Sequence, residues 1–124
     1  MTKILLVDDD DSCAEMLTKA LAAFGYEVER AHNGQEALRL YTAQTVDLVL
    51  TDLFMPGMDG MELIMELEKL DPSVRIIAMS GGGLGDSGAV FLPTAERLGA
   101  VKTLAKPFPL ESLRAAVREC LDTP

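Results

Sequence analysis

Short apolar runs alternate with amphipathic segments along the whole chain. Short runs rich in Val, Ile and Leu predict buried β-strands, the alternating residues 26–31 predict a half-exposed one, and each predicted strand is followed by a predicted helix. The predicted strands cover residues 4–7, 26–31, 46–51, 74–79 and 101–105. Strands that alternate with helices form a parallel sheet through right-handed crossovers. The pattern therefore predicts one α/β domain over residues 1–124, with five strands and five helices.

Capping residues predict where the helices begin. Ser12 and Glu15 have the S-x-x-E form of a capping box, which places the start of the first helix at Ser12. Two further N-caps are predicted where Asn or Asp is followed three residues later by Glu: Asn33 with Glu36, and Asp59 with Glu62.

Polar side chains stand where four of the predicted strands end. They are Asp8 and Asp9 after the first strand, Asp52 after the third, Ser80 after the fourth and Lys106 after the fifth. The sequence does not fix the strand order. Among the common orders, 2-1-3-4-5 is the flavodoxin-like one, and it makes strands one and three neighbours at the switch point where such sheets bind ligands. Under that order these side chains share one cleft.

Three carboxylates in such a cleft indicate a cation site. At an intermediate dielectric each close pair repels by roughly 4 kcal/mol, and a divalent cation relieves that repulsion. Oxygen ligands without a nearby His or Cys favour Mg²⁺, with Mn²⁺ as a possible substitute. A lysine and a hydroxyl beside the ion would suit transfer of a phosphoryl group to a carboxylate.

Charge and composition narrow the class of partner. The chain has 20 acidic and 11 basic residues, a formal net charge of −9, and four consecutive aspartates at residues 8–11. This balance argues against direct binding of nucleic acid. The chain has no signal-peptide layout and no apolar run near 18 residues, so we expect a cytoplasmic protein without a membrane partner. Cys13 and Cys120 are expected to be buried, unpaired thiols at opposite ends of the fold.

These motifs together resemble the receiver domain of bacterial response regulators over essentially the whole chain. The resemblance rests on Asp8-Asp9, on Asp52 with Met55-Pro56-Gly57-Met58-Asp59-Gly60, on Ser80, and on Lys106-Pro107-Phe108. It implies a signalling switch rather than an enzyme with an external substrate. Phosphate would come from a histidine kinase or a phosphotransfer protein, and an unidentified protein would receive the signal.

The resemblance also implies a role for each matching residue. Asp52 would accept the phosphoryl group, and Lys106 would pair first with Asp52 and then with that group. Ser80 would act as the switch, and the Lys106-Pro107 bond would be cis. The metal ligands would be Asp9 directly, Asp8 through water, Asp52, and the backbone carbonyl of Phe54.

Three features depart from the usual receiver pattern. Thr103 stands where receivers commonly carry an aromatic switch residue. The Gly-rich stretch between Ser80 and Lys106 is longer than usual, so either Thr103 or ordering of residues 81–91 would have to take over that role. Phe54, two residues after the acceptor, is large and apolar, and we hypothesise that it restricts the attacking water and alters the lifetime of the phosphoryl group.

Other interpretations of the motifs are open at this point. Asp8-x-Asp10-x-Ser12 resembles the opening motif of haloacid-dehalogenase-type phosphatases, in which Asp8 would be the nucleophile. Gly83-x-Gly85-x-x-Gly88 matches a dinucleotide-binding pattern, but no convincing helix follows it and a loop is favoured. A receiver-like module that signals by protein contact without phosphorylation is a further alternative.

Overall fold

Five strands and five helices alternate along the part of the chain that the structure describes. This computed structural model describes residues 1–55, 57–80 and 92–122. The elements are β1 (Lys3–Val7), α1 (Asp11–Ala23), β2 (Glu27–Ala31), α2 (Gly34–Ala43), β3 (Leu48–Asp52), α3 (Gly60–Leu70), β4 (Ile76–Ser80), α4 (Leu92–Leu98), β5 (Lys102–Ala105) and α5 (Leu110–Asp122).

All five strands are parallel and form one sheet in the order β2-β1-β3-β4-β5. The predicted fold and strand order are confirmed. None of the helices in the described ranges is long and apolar enough to cross a membrane.

The sheet is covered by helices on both faces. Successive residues of a strand point to opposite faces, and β1 shows this directly. Leu5 and Val7 pack in the apolar cluster that includes α2, α3 and α4, whereas Ile4 and Leu6 pack in the cluster that includes α1 and α5. Burial of each such side chain contributes roughly 1.5–3 kcal/mol. The central strands are accordingly the most apolar, and their carboxyl ends meet at one edge.

The start of α1 differs from the predicted capping box. The helix begins at Asp11, and its N-cap is Asp10, whose Oδ1 accepts hydrogen bonds from the backbone N–H groups of Ser12 and Cys13 at 3.0 and 3.2 Å. The prediction that Ser12 caps this helix was wrong, because Asp caps as well as Ser and the acidic run offers one two residues earlier.

The other two predicted N-caps are confirmed. Asn33 accepts a hydrogen bond from the backbone N–H of Glu36 at 2.8 Å, and Asp59 accepts one from that of Glu62 at 2.9 Å. Each therefore satisfies a backbone donor that has no partner within its own helix.

Some predicted boundaries shift, and one segment is not described. β3 begins at Leu48 and β4 at Ile76, each two residues later than predicted. At β4 the reason is that Val74 still belongs to a turn, in which its N–H donates to the carbonyl of Asp71. The Lys106-Pro107 bond is cis, as expected. The glycine pattern at 83–88 and the proposed ordering of residues 81–91 lie outside the described residues.

Candidate functional site

Three aspartates converge at the carboxyl edge of the sheet. Asp8 follows β1 directly, and Asp9 comes after it in the β1–α1 loop. Asp52 is the last residue of β3. One carboxylate oxygen from each residue lies within 4.8 Å of the others. Asp8 is fully buried, Asp52 is half-buried and Asp9 is exposed, so the cluster opens to solvent on the side of Asp9.

Hydrogen bonds hold the backbone N–H and one carboxylate oxygen of Asp8 in place, but not its other carboxylate oxygen. Its N–H donates to the carbonyl of Ala31 at 3.2 Å, and its Oδ1 accepts from the N–H of Asp10 at 3.0 Å. Its Oδ2 is buried and has no hydrogen-bond partner within the described residues. A buried carboxylate oxygen without a hydrogen bond is costly, so the atom is suited to contact a cation, and the ammonium of Lys106 lies 3.6 Å from it. The donor set, three carboxylates close together, fits a hard divalent ion.

Lys106 supplies the positive charge that faces these carboxylates. Its Nζ lies 2.9 Å from Oδ2 of Asp52 and 3.6 Å from Oδ2 of Asp8. Burial lowers the pKa of Lys106, but the hydrogen bond and charge of Asp52, with the charge of Asp8, outweigh it, and the pKa is raised above its usual value. The ammonium therefore stays charged at neutral pH.

Backbone hydrogen bonds at the strand ends involve the other predicted site residues, Phe54 and Ser80. The N–H of Phe54 donates to Oδ1 of Asp52 at 3.2 Å, and the Phe54 side chain is 50% exposed. The N–H of Lys106 donates to the carbonyl of Ser80 at 2.6 Å, which ties the ends of β4 and β5 together. The Ser80 side chain is buried, and its Oγ has no hydrogen-bond partner within the described ranges. Thr103 is half-buried in β5, opposite Ala78.

Cys13 also belongs to this site, which the sequence reasoning missed. Burial and the neighbouring carboxylate of Asp8 raise the pKa of its thiol to about 11, and the charge of Lys106 opposes that shift. Cys13 is half-buried rather than buried as expected, whereas Cys120 is buried; both are free thiols. The sequence feature that could have indicated Cys13 is its position in the first turn of α1, the helix that follows the end of β1.

The sequence matches a known family over most of its length. Residues 4–118 match the family model described as the response regulator receiver domain. The chain belongs to this family. Receiver domains are signalling switches that take phosphate from histidine kinases or phosphotransfer proteins and generally bind Mg²⁺ through an acidic cluster, which is present here. The protein is thus a phosphoacceptor receiver of two-component signalling.

Several relatives support the assignment. The chain is 36% identical over 119 residues to sporulation initiation phosphotransferase F of Bacillus subtilis, covering 96% of this chain and 93% of the relative. It is 35% identical over 122 residues to the response regulator receiver protein CpdR of Brucella abortus, covering 98% of both. Longer transcriptional regulators also match, and the chain spans only 24–26% of their length.

The fold also matches solved structures of receiver domains. Response regulator protein TrrA of Thermotoga maritima, solved in complex with Mg²⁺-BeF, superposes with a TM-score of 0.87 at 30% identity, covering 98% of this chain and 100% of that one. These matches give no support to the phosphatase alternative or to a receiver-like module that works without phosphorylation.

Proposed function

We propose that Asp52 is the phosphoacceptor of this receiver. The observation that carries the proposal is the contact between Lys106 Nζ and Asp52 Oδ2 at 2.9 Å, within a cluster of three carboxylates. In the proposed step an oxygen of Asp52 attacks the phosphorus of a phosphohistidine. The phosphorus–nitrogen bond breaks, its electron pair returns to the imidazole, and an aspartyl phosphate forms.

Asp8, Asp9 and Asp52 would hold Mg²⁺, together with the backbone carbonyl of Phe54. Support comes from the buried Oδ2 of Asp8, which has no hydrogen-bond partner within the described residues, and from the close approach of the three carboxylates. When bound, the ion supplies positive charge that offsets their repulsion and the charge of the phosphoryl oxygens. The all-oxygen donor set would also accept Mn²⁺.

Lys106 and Ser80 complete the proposed machinery. Lys106 would leave Asp52 to pair with a phosphoryl oxygen, because phosphorylation moves the negative charge outward from the carboxylate. The Ser80 hydroxyl has no partner within the described residues, so it is available to donate to another phosphoryl oxygen. We propose this movement of Ser80 as the switch, with Thr103 in β5 as a second candidate.

The proposed donor is a histidine kinase or a phosphotransfer protein, and the proposed target is another protein rather than a nucleic acid or a membrane. The protein would assist only its own phosphorylation and the later attack of water on its aspartyl phosphate, so we do not class it as an enzyme with an external substrate. The free thiols of Cys13 and Cys120 are typical of the reducing cytoplasm, where we propose that the switch acts.

Intact-mass measurement after incubation with acetyl phosphate and Mg²⁺ tests the acceptor. The wild-type protein should gain one phosphoryl group, and Asp52→Asn should gain none. Asp59→Asn is the matched control: Asp59 is the N-cap of α3, Asn caps a helix equally well, and labelling should be unchanged.

Two results would overturn the assignment. Equal labelling of wild type and Asp52→Asn would exclude Asp52 as the acceptor. Labelling that is lost only in Asp8→Asn, together with turnover of phosphate esters, would instead support the phosphatase chemistry.

A further inference from the structure

Arg30 binds the loop that carries the acidic residues of the site. Its Nε and Nη2 both donate to the backbone carbonyl of Asp8, at 3.1 and 2.8 Å. The same Nη2 lies 2.9 Å from Oδ1 of Asp11, the first residue of α1. One guanidinium group thus contacts both ends of the β1–α1 loop.

The sheet places Arg30 where it can make these contacts. In the β1–β2 pairing Arg30 lies opposite Leu6, one residue before the pair Val7 and Ala31 at which this pairing ends. Leu6 packs with the apolar cluster that includes α1, so the side chain of Arg30 leaves the sheet on the α1 side. It is 21% exposed, which shows that most of it is covered.

These contacts complete the fixation of Asp8. Its N–H is bonded to Ala31, its carbonyl to Arg30 and its Oδ1 to Asp10. Its Oδ2 has no hydrogen bond within the described residues and forms an ion pair with Lys106 at 3.6 Å. We propose that Arg30 is a positioning residue that preorganises Asp8 and the β1–α1 loop for the divalent cation. The inference rests on the proposed function, because it assigns Arg30 a part in the same metal site.

The charge of Arg30 works against this role. A cation near the carboxylates repels a second cation, so a purely electrostatic effect of Arg30 would weaken Mg²⁺ binding. The ion pair with Asp11 adds little by itself, because the Asp11 side chain is 85% exposed and solvent screens it. Geometry and charge therefore predict opposite effects of removing the guanidinium.

Two substitutions separate geometry from charge. Arg30→Lys keeps the charge but loses the planar fork that donates twice to one carbonyl, and Arg30→Gln loses both. If Arg30 positions Asp8, Arg30→Lys should bind Mg²⁺ on the order of tenfold more weakly by calorimetry, the size typical for a partner of a metal ligand. Arg30→Gln should also bind more weakly, but by less, because the loss of its charge relieves repulsion of the ion. If only its charge matters, Arg30→Lys should match wild type and Arg30→Gln should bind more tightly.

A second measurement uses the metal-free protein. The N–H of Asp10 donates to Oδ1 of Asp8, so its hydrogen exchange reports whether Asp8 is held in place. Exchange at Asp10 should be faster in both Arg30 variants. Arg118→Lys and Arg118→Gln are the matched controls, because Arg118 is exposed on α5, and they should change neither exchange nor Mg²⁺ affinity.

The phosphorylation rate separates positioning from general damage to the fold. With Arg30→Lys, the Mg²⁺ concentration for half-maximal labelling should rise, while the rate at saturating Mg²⁺ should stay close to wild type. Asp11→Ala removes one arm of the contact and retains the two bonds to Asp8, so it should show a smaller effect in the same direction.

The outcomes distinguish this inference from the proposed function. Absence of Mg²⁺ binding by the wild-type protein would overturn both. Normal binding and labelling of wild type, with unchanged Mg²⁺ affinity in Arg30→Lys and tighter binding in Arg30→Gln, would overturn the role of Arg30 alone. A lower saturating rate in the Arg30 variants without a change in Mg²⁺ affinity would also overturn it.

Discussion

Gly60, the first residue of α3, packs closely against the backbone of Asp52 and Leu53. Replacing Gly60 by Ala tests whether this close approach is required. A Cβ at Gly60 would lie 2.2 Å from the carbonyl oxygen of Asp52 and 2.6 Å from Cα of Leu53. Both atoms belong to the main chain, so no change of rotamer can relieve the overlap. Either α3 or the end of β3 must move.

The size of the effect follows from a comparison with Gly34. Gly34 and Gly60 are each the first residue of a helix, so the helix-propensity gain from Ala, at most about 1 kcal/mol, is shared. A Cβ at Gly34 would meet Cγ and Sδ of Met58 at 2.8 Å and its Cβ at 2.9 Å. The first two atoms can rotate away, and the third requires a small shift of the loop that carries Met58. We expect Gly34→Ala to lose less stability than Gly60→Ala, which should lose about 2 kcal/mol or more.

Urea denaturation of the metal-free proteins measures these free energies of unfolding, and intact mass after acetyl phosphate measures labelling. Gly60→Ala should unfold at lower urea concentration and be labelled more slowly, because the displaced backbone belongs to Asp52 itself. Gly34→Ala should be labelled at the wild-type rate. Equal stability of the two variants, with normal labelling of Gly60→Ala, would refute the reasoning.

Three other changes have defined outcomes. Asp10→Ala should lower the free energy of unfolding by about 1 kcal/mol in urea denaturation, and a larger loss in Ser12→Ala would contradict Asp10 as the N-cap. Burial and the 2.8 Å hydrogen bond to Asp71 raise the pKa of Tyr41. The protonated phenol therefore adds to the free energy of unfolding below its unfolded-state pKa, about 10, and this contribution is lost as pH rises through the higher folded-state pKa. Tyrosinate absorbance should show a tyrosine that ionises above its usual pH, and Tyr41→Phe should abolish that signal. On the hypothesis that the apolar side chain of Phe54, whose N–H donates to Asp52 Oδ1, restricts the attacking water, Phe54→Asn should shorten the lifetime of the aspartyl phosphate; an unchanged rate of label loss would remove the idea.

Hydrophobic pattern was enough to predict the sheet and the edge at which the site forms. Apolar runs that end in Asp8, Asp52 and Ser80 are buried strands, and parallel strands bring their carboxyl ends to one edge. Once the order was assumed, the proximity of Lys106 to Asp52 followed as well. Local capping was less certain, because Asp10 and Ser12 are both good N-caps and only the backbone path of the loop decides between them.

The contacts of Arg30 could not be predicted from the sequence. Arg30 stands in a half-exposed edge strand, and the alternation of the strand indicates its face but not its reach. Its contact with the Asp8 carbonyl depends on the conformation of the β1–α1 loop, and no sequence pattern predicts that conformation. The closeness of Cys13 to Asp8 is of the same kind, since it depends on the angle at which α1 leaves the loop.

Two buried side-chain atoms in the described residues have no hydrogen-bond partner, and both lie at this edge: Asp8 Oδ2 and Ser80 Oγ. Buried polar groups are nearly always satisfied, so an exception calls for an explanation. These two atoms have complementary needs, because a carboxylate oxygen only accepts, whereas a hydroxyl can donate. A cation would satisfy the first and a phosphoryl oxygen the second. The two exceptions together therefore match the pair of ligands that the proposed function requires, which neither atom would indicate alone.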